Sequence, residues 1–223
     1  MYNLKAKRVA NKWIKQEVLR KDPQIAAHIP VTRHLTNDQL DYMLKHYGRI
    51  ILKPIVGTGG GGIISVTKLS DGLLVQFKQK RRHFSTLQAA LSYIRSIQRK
   101  RQYMIQRAIM MATIQGRPID YRVKIQKPKN EWIITGMVGR LARPGLFVTN
   151  LCKGGTRLTL KQGITRSLPH VNYALKRKEM RQLTRRSTQL LERHFPGIRQ
   201  LGFDYGLDSA GYIWIFEVNT KPA

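Results

Sequence analysis

The last stretch of the chain constrains the fold more than any other. Gly202 to Lys221 reads as two apolar runs on either side of Asp208-Ser209-Ala210-Gly211. Those four residues are turn chemistry, and the runs beside them make a β-hairpin. Pairing symmetric about the turn sets Leu207 opposite Tyr212, Asp204 opposite Ile215 and Glu217 opposite Gly202. Side chains alternate faces along a strand. Asp204, Glu217 and Asn219 therefore share one face, and Trp214, Phe216 and Val218 fill the other. Two carboxylates and an amide oxygen are hard donors of the kind that hold Mg²⁺ together with substrate phosphates. The same pattern also describes an ordinary hairpin with a polar, wetted face.

Acidic residues are scarce, 12 against 41 Lys and Arg, which gives a net charge of +29. Such a chain is drawn to polyanions: nucleotides, nucleic acid, anionic cell-wall polymer or a membrane surface. Its 223 residues can bury a real core, and 42% apolar content argues against wholesale disorder. No apolar run reaches the length of a transmembrane segment, and no signal-peptide core follows the basic start Met1 to Arg8. The single cysteine, Cys152, excludes an intramolecular disulfide and fits a reducing cytosol.

Earlier in the chain, Val9, Trp13, Ile14, Val18 and Leu19 recur at helical spacing between Ala6 and Arg20, a helix that docks on a domain and offers no chemistry. Thr36 with Gln39, and Ser85 with Gln88, are capping boxes that open two further helices. Between them, Arg49 to Val56 is a buried-strand run with Lys53 near its end, followed by Gly57-Thr58-Gly59-Gly60-Gly61-Gly62 and a second strand from Ile63. Glycines in that density let backbone N–H groups approach an anion closely. The loop lacks the Gly-Lys-Ser/Thr ending of a Walker loop and does not lead into a helix as a Rossmann turn does. Strand–loop–strand order suits either a flap over a nucleotide or a plain hairpin connection. Ile119 to Ile125 alternates strictly, with Asp120, Arg122 and Lys124 on one face. A long helix from Tyr173 to Phe195 carries Lys176, Arg177, Lys178, Arg181, Arg185 and Arg186.

Taken in order, several of these pieces resemble the ATP-grasp superfamily, most closely its YheC/YheD endospore-coat-associated branch. They are Ile51-Leu52-Lys53-Pro54 with the following glycines, Asp120-Tyr121-Arg122, Arg140, Asn150-Leu151 with Gly154-Gly155, Asp204, and Glu217-Val218-Asn219-Thr220-Lys221-Pro222. The resemblance runs from about Pro30 to the end. It implies an α+β ATP-grasp fold whose two α+β subdomains grip a nucleotide, without an N-terminal pre-ATP-grasp domain. The expected divisions are an N-terminal helical segment (1–30), a lysine and glycine-flap subdomain (31–108) and a metal-binding subdomain (109–223). By the same resemblance Lys53 contacts the α- and β-phosphates of ATP, and a flap containing Gly57, Gly59, Gly60, Gly61 and Gly62 closes over them. Gln106, Arg107, Ala108 and Ile109 form a hinge whose backbone reads adenine. Asp204, Glu217 and Asn219 hold Mg²⁺, Arg122 and Arg140 steady the transferring phosphoryl group, and Asn150 sits beside it.

The implied activity is that of an ATP-dependent carboxylate–amine ligase passing through an acyl phosphate, its acceptor a peptide or cell-wall component. Spore-coat proteins are the implied partners, and the implied location is the cytoplasm with association to the spore coat. Two other function classes fit the residues: a nucleotide-binding coat protein without turnover, and a polyanion-binding module whose charge is its function. Sequence-specific nucleic-acid reading has no helix-turn-helix, zinc-finger or RNA-recognition signature here.

Overall fold

The computed structural model describes residues 8–57, 61–149 and 154–222. The chain divides into two compact units, Pro30–Ile109 and a larger one that joins Met1–Ile29 to Met110–Ala223.

The smaller unit is a six-stranded antiparallel sheet with two helices. Its elements are β1 (Thr32–His34), α3 (Asn37–Tyr47), β2 (Arg49–Pro54), β3 (Ile64–Leu69), β4 (Gly72–Phe77), β5 (Lys80–Phe84), α4 (Leu87–Gln98) and β6 (Tyr103–Arg107), and the strands lie in the order β1-β6-β2-β3-β4-β5. Thr36 caps α3 by accepting from the Gln39 N–H, as its position predicts. The cap of α4 is Thr86, accepting from Ala89, rather than Ser85 one residue earlier. Alternation along β2 sends Ile50 and Leu52 into a core with Leu40, Met43, Val66 and Ile94. The other face of the sheet is polar. One row of cross-strand partners runs Thr32, Gln106, Ile51, Ser65, Gln76, Arg81. Four of its polar members, Thr32, Gln106, Ser65 and Gln76, are buried.

The larger unit contains α1 (Lys12–Arg20), α2 (Pro23–Ala26), β7 (Thr113–Ile114), β8 (Arg117–Gln126), β9 (Ile133–Leu141), β10 (Thr156–Thr159), α5 (Leu160–Ser167), α6 (Tyr173–His194), β11 (Gln200–Leu207) and β12 (Ile213–Asn219). Its strands lie in the order β10-β9-β8-β11-β12, and β7 pairs with the start of β8. Leu201, Phe203, Tyr205 and Leu207 alternate into a core with Tyr121, Val123, Met180 and Leu191. There the Tyr205 and Thr184 hydroxyls meet at 2.8 Å. The basic helix read from Tyr173 onward is α6. β10 and α5, with a capping box of Thr159 and Gln162, had no counterpart in the sequence pattern. Strand β12 is an edge, and the N-terminal segment covers it: the Ile215 N–H donates to the His28 carbonyl at 2.7 Å, and the Val9 N–H to Thr220 Oγ1 at 2.9 Å. Among the described residues no helix is long and apolar enough to cross a membrane.

The terminal hairpin forms, in a different register from the symmetric one. Asp208 Oδ1 accepts from the N–H groups of Ala210 and Tyr212, and the Asp208 N–H donates to the Tyr212 carbonyl. This closes a longer turn and sets Tyr205 opposite Ile215. A β-bulge then inserts Phe216, so Asp204 lies opposite Glu217 and Gly202 opposite Asn219. Asp204, Glu217 and Asn219 still share a face. Trp214, opposite Gly206, belongs to that face too and not to the core face with Val218. Phe216 lies over Gly206, where a Cβ would sit 2.3 Å from its ring.

Candidate functional site

The polar face of the larger sheet is built in cross-strand rows. One row reads Arg140, Asp120, Gly206, Trp214, and the next reads Val138, Arg122, Asp204, Glu217. Four of the residues singled out in the sequence, Arg122, Arg140, Asp204 and Glu217, are thereby brought together with Asp120. Gly202 and Gly206, on either side of Asp204, keep the strand surface low. A Cβ on Gly202 would come within 3.2 Å of the Arg122 guanidinium.

The charges form a closed network. Arg140 grips Asp120 with two bonds, Nε to Oδ1 at 2.7 Å and Nη2 to Oδ2 at 2.5 Å. The same Nη2 reaches Asp204 Oδ1 at 2.9 Å. Arg122 holds both oxygens of Asp204, through Nε and through Nη2. Fork-on-fork contacts of this kind are the strong form of an ion pair. Arg140 and Asp120 are 7% and 8% exposed at their side chains. Burial pushes the Asp120 carboxyl upward against the pull of Arg140, and the Thr149 side chain bonds to it as well. Burial opposes the charge on Arg140, yet Asp204 and Asp120 hold its guanidinium above the ordinary value. The bidentate geometry requires both partners to be charged.

Glu217, the second carboxylate, is met from α1. Lys12 Nζ lies 3.5 Å from its Oε1, and the Glu217 charge also acts on Lys15. The helix buries Lys12, Lys15, Gln16, Val18 and Leu19, while Ile14 is 40% exposed. Its first turn thus presents a lysine-bearing face inward, where the apolar spacing pointed to Trp13 and Ile14. Burial pushes the Lys15 ammonium down to about 8. Sequence reasoning missed Lys12 and Lys15, and it named Asp120 as a polar strand residue and as part of the Asp120-Tyr121-Arg122 motif without giving it a role in the site.

In the smaller unit Lys53 is positioned by its neighbours. Its Nζ donates to Gln106 Oε1 at 2.5 Å, and Gln106 Nε2 donates to Thr32 Oγ1 at 3.0 Å. The backbone N–H groups of Arg107 and Ala108 are given to the carbonyls of Val31 and Arg49. Ile109 follows as the last residue of the unit. Gly57, Gly61 and Gly62 flank the glycine loop, and the Tyr103 hydroxyl anchors its far end by donating to the Gly62 carbonyl at 2.9 Å. Gly59, Gly60 and Asn150 lie outside the described residues.

Among the described residues no three His, Cys, Asp or Glu side chains gather as a metal cluster. What the hairpin supplies is two carboxylates on directly opposed residues and an amide two residues on. That donor set fits Mg²⁺ in kind, since Mg²⁺ usually takes one or two carboxylates and completes its shell with water and substrate phosphate.

The chain matches the family described as YheC/D like ATP-grasp over residues 3–223. It is 29% identical over 220 residues to the endospore coat-associated protein YheD of Bacillus subtilis (strain 168), covering 95% of this chain and 48% of the relative. To YheC of the same organism it is 24% identical over 218 residues, covering 95% and 60%. The chain therefore spans about half the length of the curated relatives it matches. Among solved structures it resembles N5-carboxyaminoimidazole synthase from Aspergillus clavatus in complex with ADP and 5-aminoimidazole ribonucleotide. That match has a TM-score of 0.60 at 13% identity and covers 97% of this chain and 45% of the other. It also resembles D-alanyl-alanine synthetase A from Vibrio cholerae, with a TM-score of 0.58 at 17% identity, covering 96% and 55%. At these identities the structural likeness shows the fold, which is ATP-grasp.

Proposed function

We propose that this chain, which belongs to the YheC/D-like ATP-grasp family, binds ATP with Mg²⁺ and activates a carboxylate for ligation to an amine. One observation carries the reading: Asp204 and Glu217 stand directly opposite each other across a hairpin, with Arg122 and Arg140 on the same sheet face. Phosphoryl transfer asks a protein for positioning and charge neutralisation more than for a covalent group. Lys53, held by Gln106, supplies a point charge for the α- and β-phosphates, with the glycine loop over them. Asp204, Glu217 and Asn219 would hold Mg²⁺, which when bound neutralises the β- and γ-phosphate oxygens. Arg122 and Arg140 neutralise the equatorial oxygens of the moving phosphoryl group, and the Nη1 donors of Arg140 are not among its bonds to Asp120 and Asp204.

In the reaction a substrate carboxylate oxygen forms a bond to the γ-phosphorus while the bond to the β,γ-bridging oxygen breaks and ADP leaves. The amine nitrogen then bonds to the acyl carbon, orthophosphate departs, and the amine gives up a proton to solvent. Coat association and coat-protein partners belong to the same proposal, supported by the names of the two Bacillus subtilis relatives, and a cytoplasmic origin is proposed with them.

Thermal unfolding with and without MgATP, for wild type and Glu217→Gln at moderate salt, tests it. A ligand at 100 times its Kd stabilises the folded state by about 2.7 kcal/mol. A Mg²⁺-dependent rise that Glu217→Gln abolishes is expected. A rise matched by inorganic polyphosphate and unaffected by the substitution would instead point to nonspecific attraction by the +29 charge.

A further inference from the structure

We propose that Lys15 is part of an oxyanion-binding subsite beside Glu217, occupied by the γ-phosphoryl group or by the carboxylate that attacks it. This rests on the ATP-grasp reading above. Lysine is almost never fully buried unless paired, yet Lys15 is 3% exposed. It makes no hydrogen bond or ion pair with any described residue. Its charged surroundings are Glu217, Lys12 and Arg8, and Glu217 is already engaged by Lys12. Two buried lysines, Lys12 and Lys15, thus depend on the single carboxylate of Glu217, which leaves positive charge in excess there.

Burial of Val18 and Leu19 carries Lys15 inward with them, because it falls between those two around the helix. Ile14, adjacent in the chain, stays 40% exposed while Lys15 takes the inward position. An unpaired buried ammonium costs stability, so the empty protein carries a defect that an anion would remove. The anions due at Glu217 are those that meet at the metal: the terminal phosphate and the attacking carboxylate.

Lys15→Met keeps the length and helix propensity of the side chain and removes only the charge. Removing an unpaired buried charge should raise the melting temperature of the ligand-free protein. Binding of MgAMP-PNP relative to MgADP is measured by calorimetry. The MgADP-loaded protein is also titrated with orthophosphate in one arm and acetate in another. Loss of a charge-assisted contact should weaken at least one of these by about tenfold or more, and Lys15→Arg should retain the response. A selective loss with MgAMP-PNP or orthophosphate identifies the phosphoryl group, and one with acetate the carboxylate.

Three results would overturn the proposal. Lys15→Met and wild type respond alike in every arm, Lys15→Met lowers the ligand-free melting temperature and leaves the responses intact, or Lys15→Arg loses the response as completely as Lys15→Met. Failure of the underlying ATP-grasp reading looks different, because then wild type itself does not bind MgADP.

Discussion

Arg140→Met should cost stability in a way that depends on pH. The substitution leaves Asp120, 6% exposed, without the two guanidinium bonds that compensate its charge. Breaking one side of a buried ion pair typically costs about 3–5 kcal/mol. For a chain of this size that corresponds to roughly 10 °C in Tm. The carboxylate has an escape, because it can take up a proton. Burial already pushes Asp120 upward, and without Arg140 nothing of comparable strength opposes it. A carboxyl whose folded pKa lies above its unfolded one binds protons preferentially in the folded state. The deficit of the variant is then greatest above the folded pKa. It shrinks by up to about 1.4 kcal/mol per unit as pH falls from there toward the unfolded value.

Calorimetric Tm values of wild type and Arg140→Met at pH 8 and pH 5.5 should therefore show a smaller gap at pH 5.5. Adding Asp120→Leu should recover most of the loss at pH 8, since a buried pair replaced on both sides by apolar groups is often neutral. Equal gaps at both pH values, or a double variant no better than Arg140→Met, would refute a buried, charged Asp120–Arg140 pair.

Gly206→Ala places a methyl 2.3 Å from the Phe216 ring, and overpacking of that kind costs about 1–3 kcal/mol. The urea midpoint should fall, and Phe216→Leu in the same chain should restore part of it. Asp22 clasps α2 to α6: its carboxyl is held below the ordinary range by the hydrogen bond from Arg186, with the N–H groups of Ile25 and Gln24 adding to the effect. A depressed folded pKa gives stability that is present above the unfolded value and lost as pH falls through the folded one. The ¹³C resonance of the Asp22 carboxyl should titrate below the ordinary carboxylate range, and Arg186→Gln should move that midpoint upward.

What could be read from the sequence followed from local rules. The long basic helix, the Thr36 cap and the alternation of Ile119 to Ile125 each depend on residues within a few positions of one another, and each element is present. The pairing of Asp120 with Arg140 depends on β8 lying beside β9, and no local pattern encodes which arginine meets which carboxylate. Helix α1 was misread for a different reason. At about 100° per residue, Trp13 points some 120–140° away from Val18 and Leu19, whereas Lys15 falls between those two. The lysine was inside the apolar stripe all along, and hydrophobicity alone made Trp13 look like the core residue.

The hairpin holds a subtler lesson, because its key expectation survived two mistakes. The turn closed by Asp208 and Tyr212 moves the pairing by one residue from the symmetric register, and a one-residue shift turns a strand over. Continued down β12, that register would set Glu217 opposite Phe203, a residue with no exposed surface in the core. The bulge at Phe216 adds the second shift and turns the strand back. Between the two shifts lies Trp214, and the inserted Phe216 lies over Gly206, so both are found on the unexpected face. Glu217 and Asn219 lie beyond both, so their face agrees with the symmetric pairing although their partners do not. The bulge is what faces Glu217 toward Asp204. Deleting Phe216 would straighten the strand and bring Glu217 directly after Ile215, still opposite Asp204, so the carboxylate pair should outlast loss of the bulge; only a strand that kept Phe216 in a regular ladder would carry Glu217 into the core.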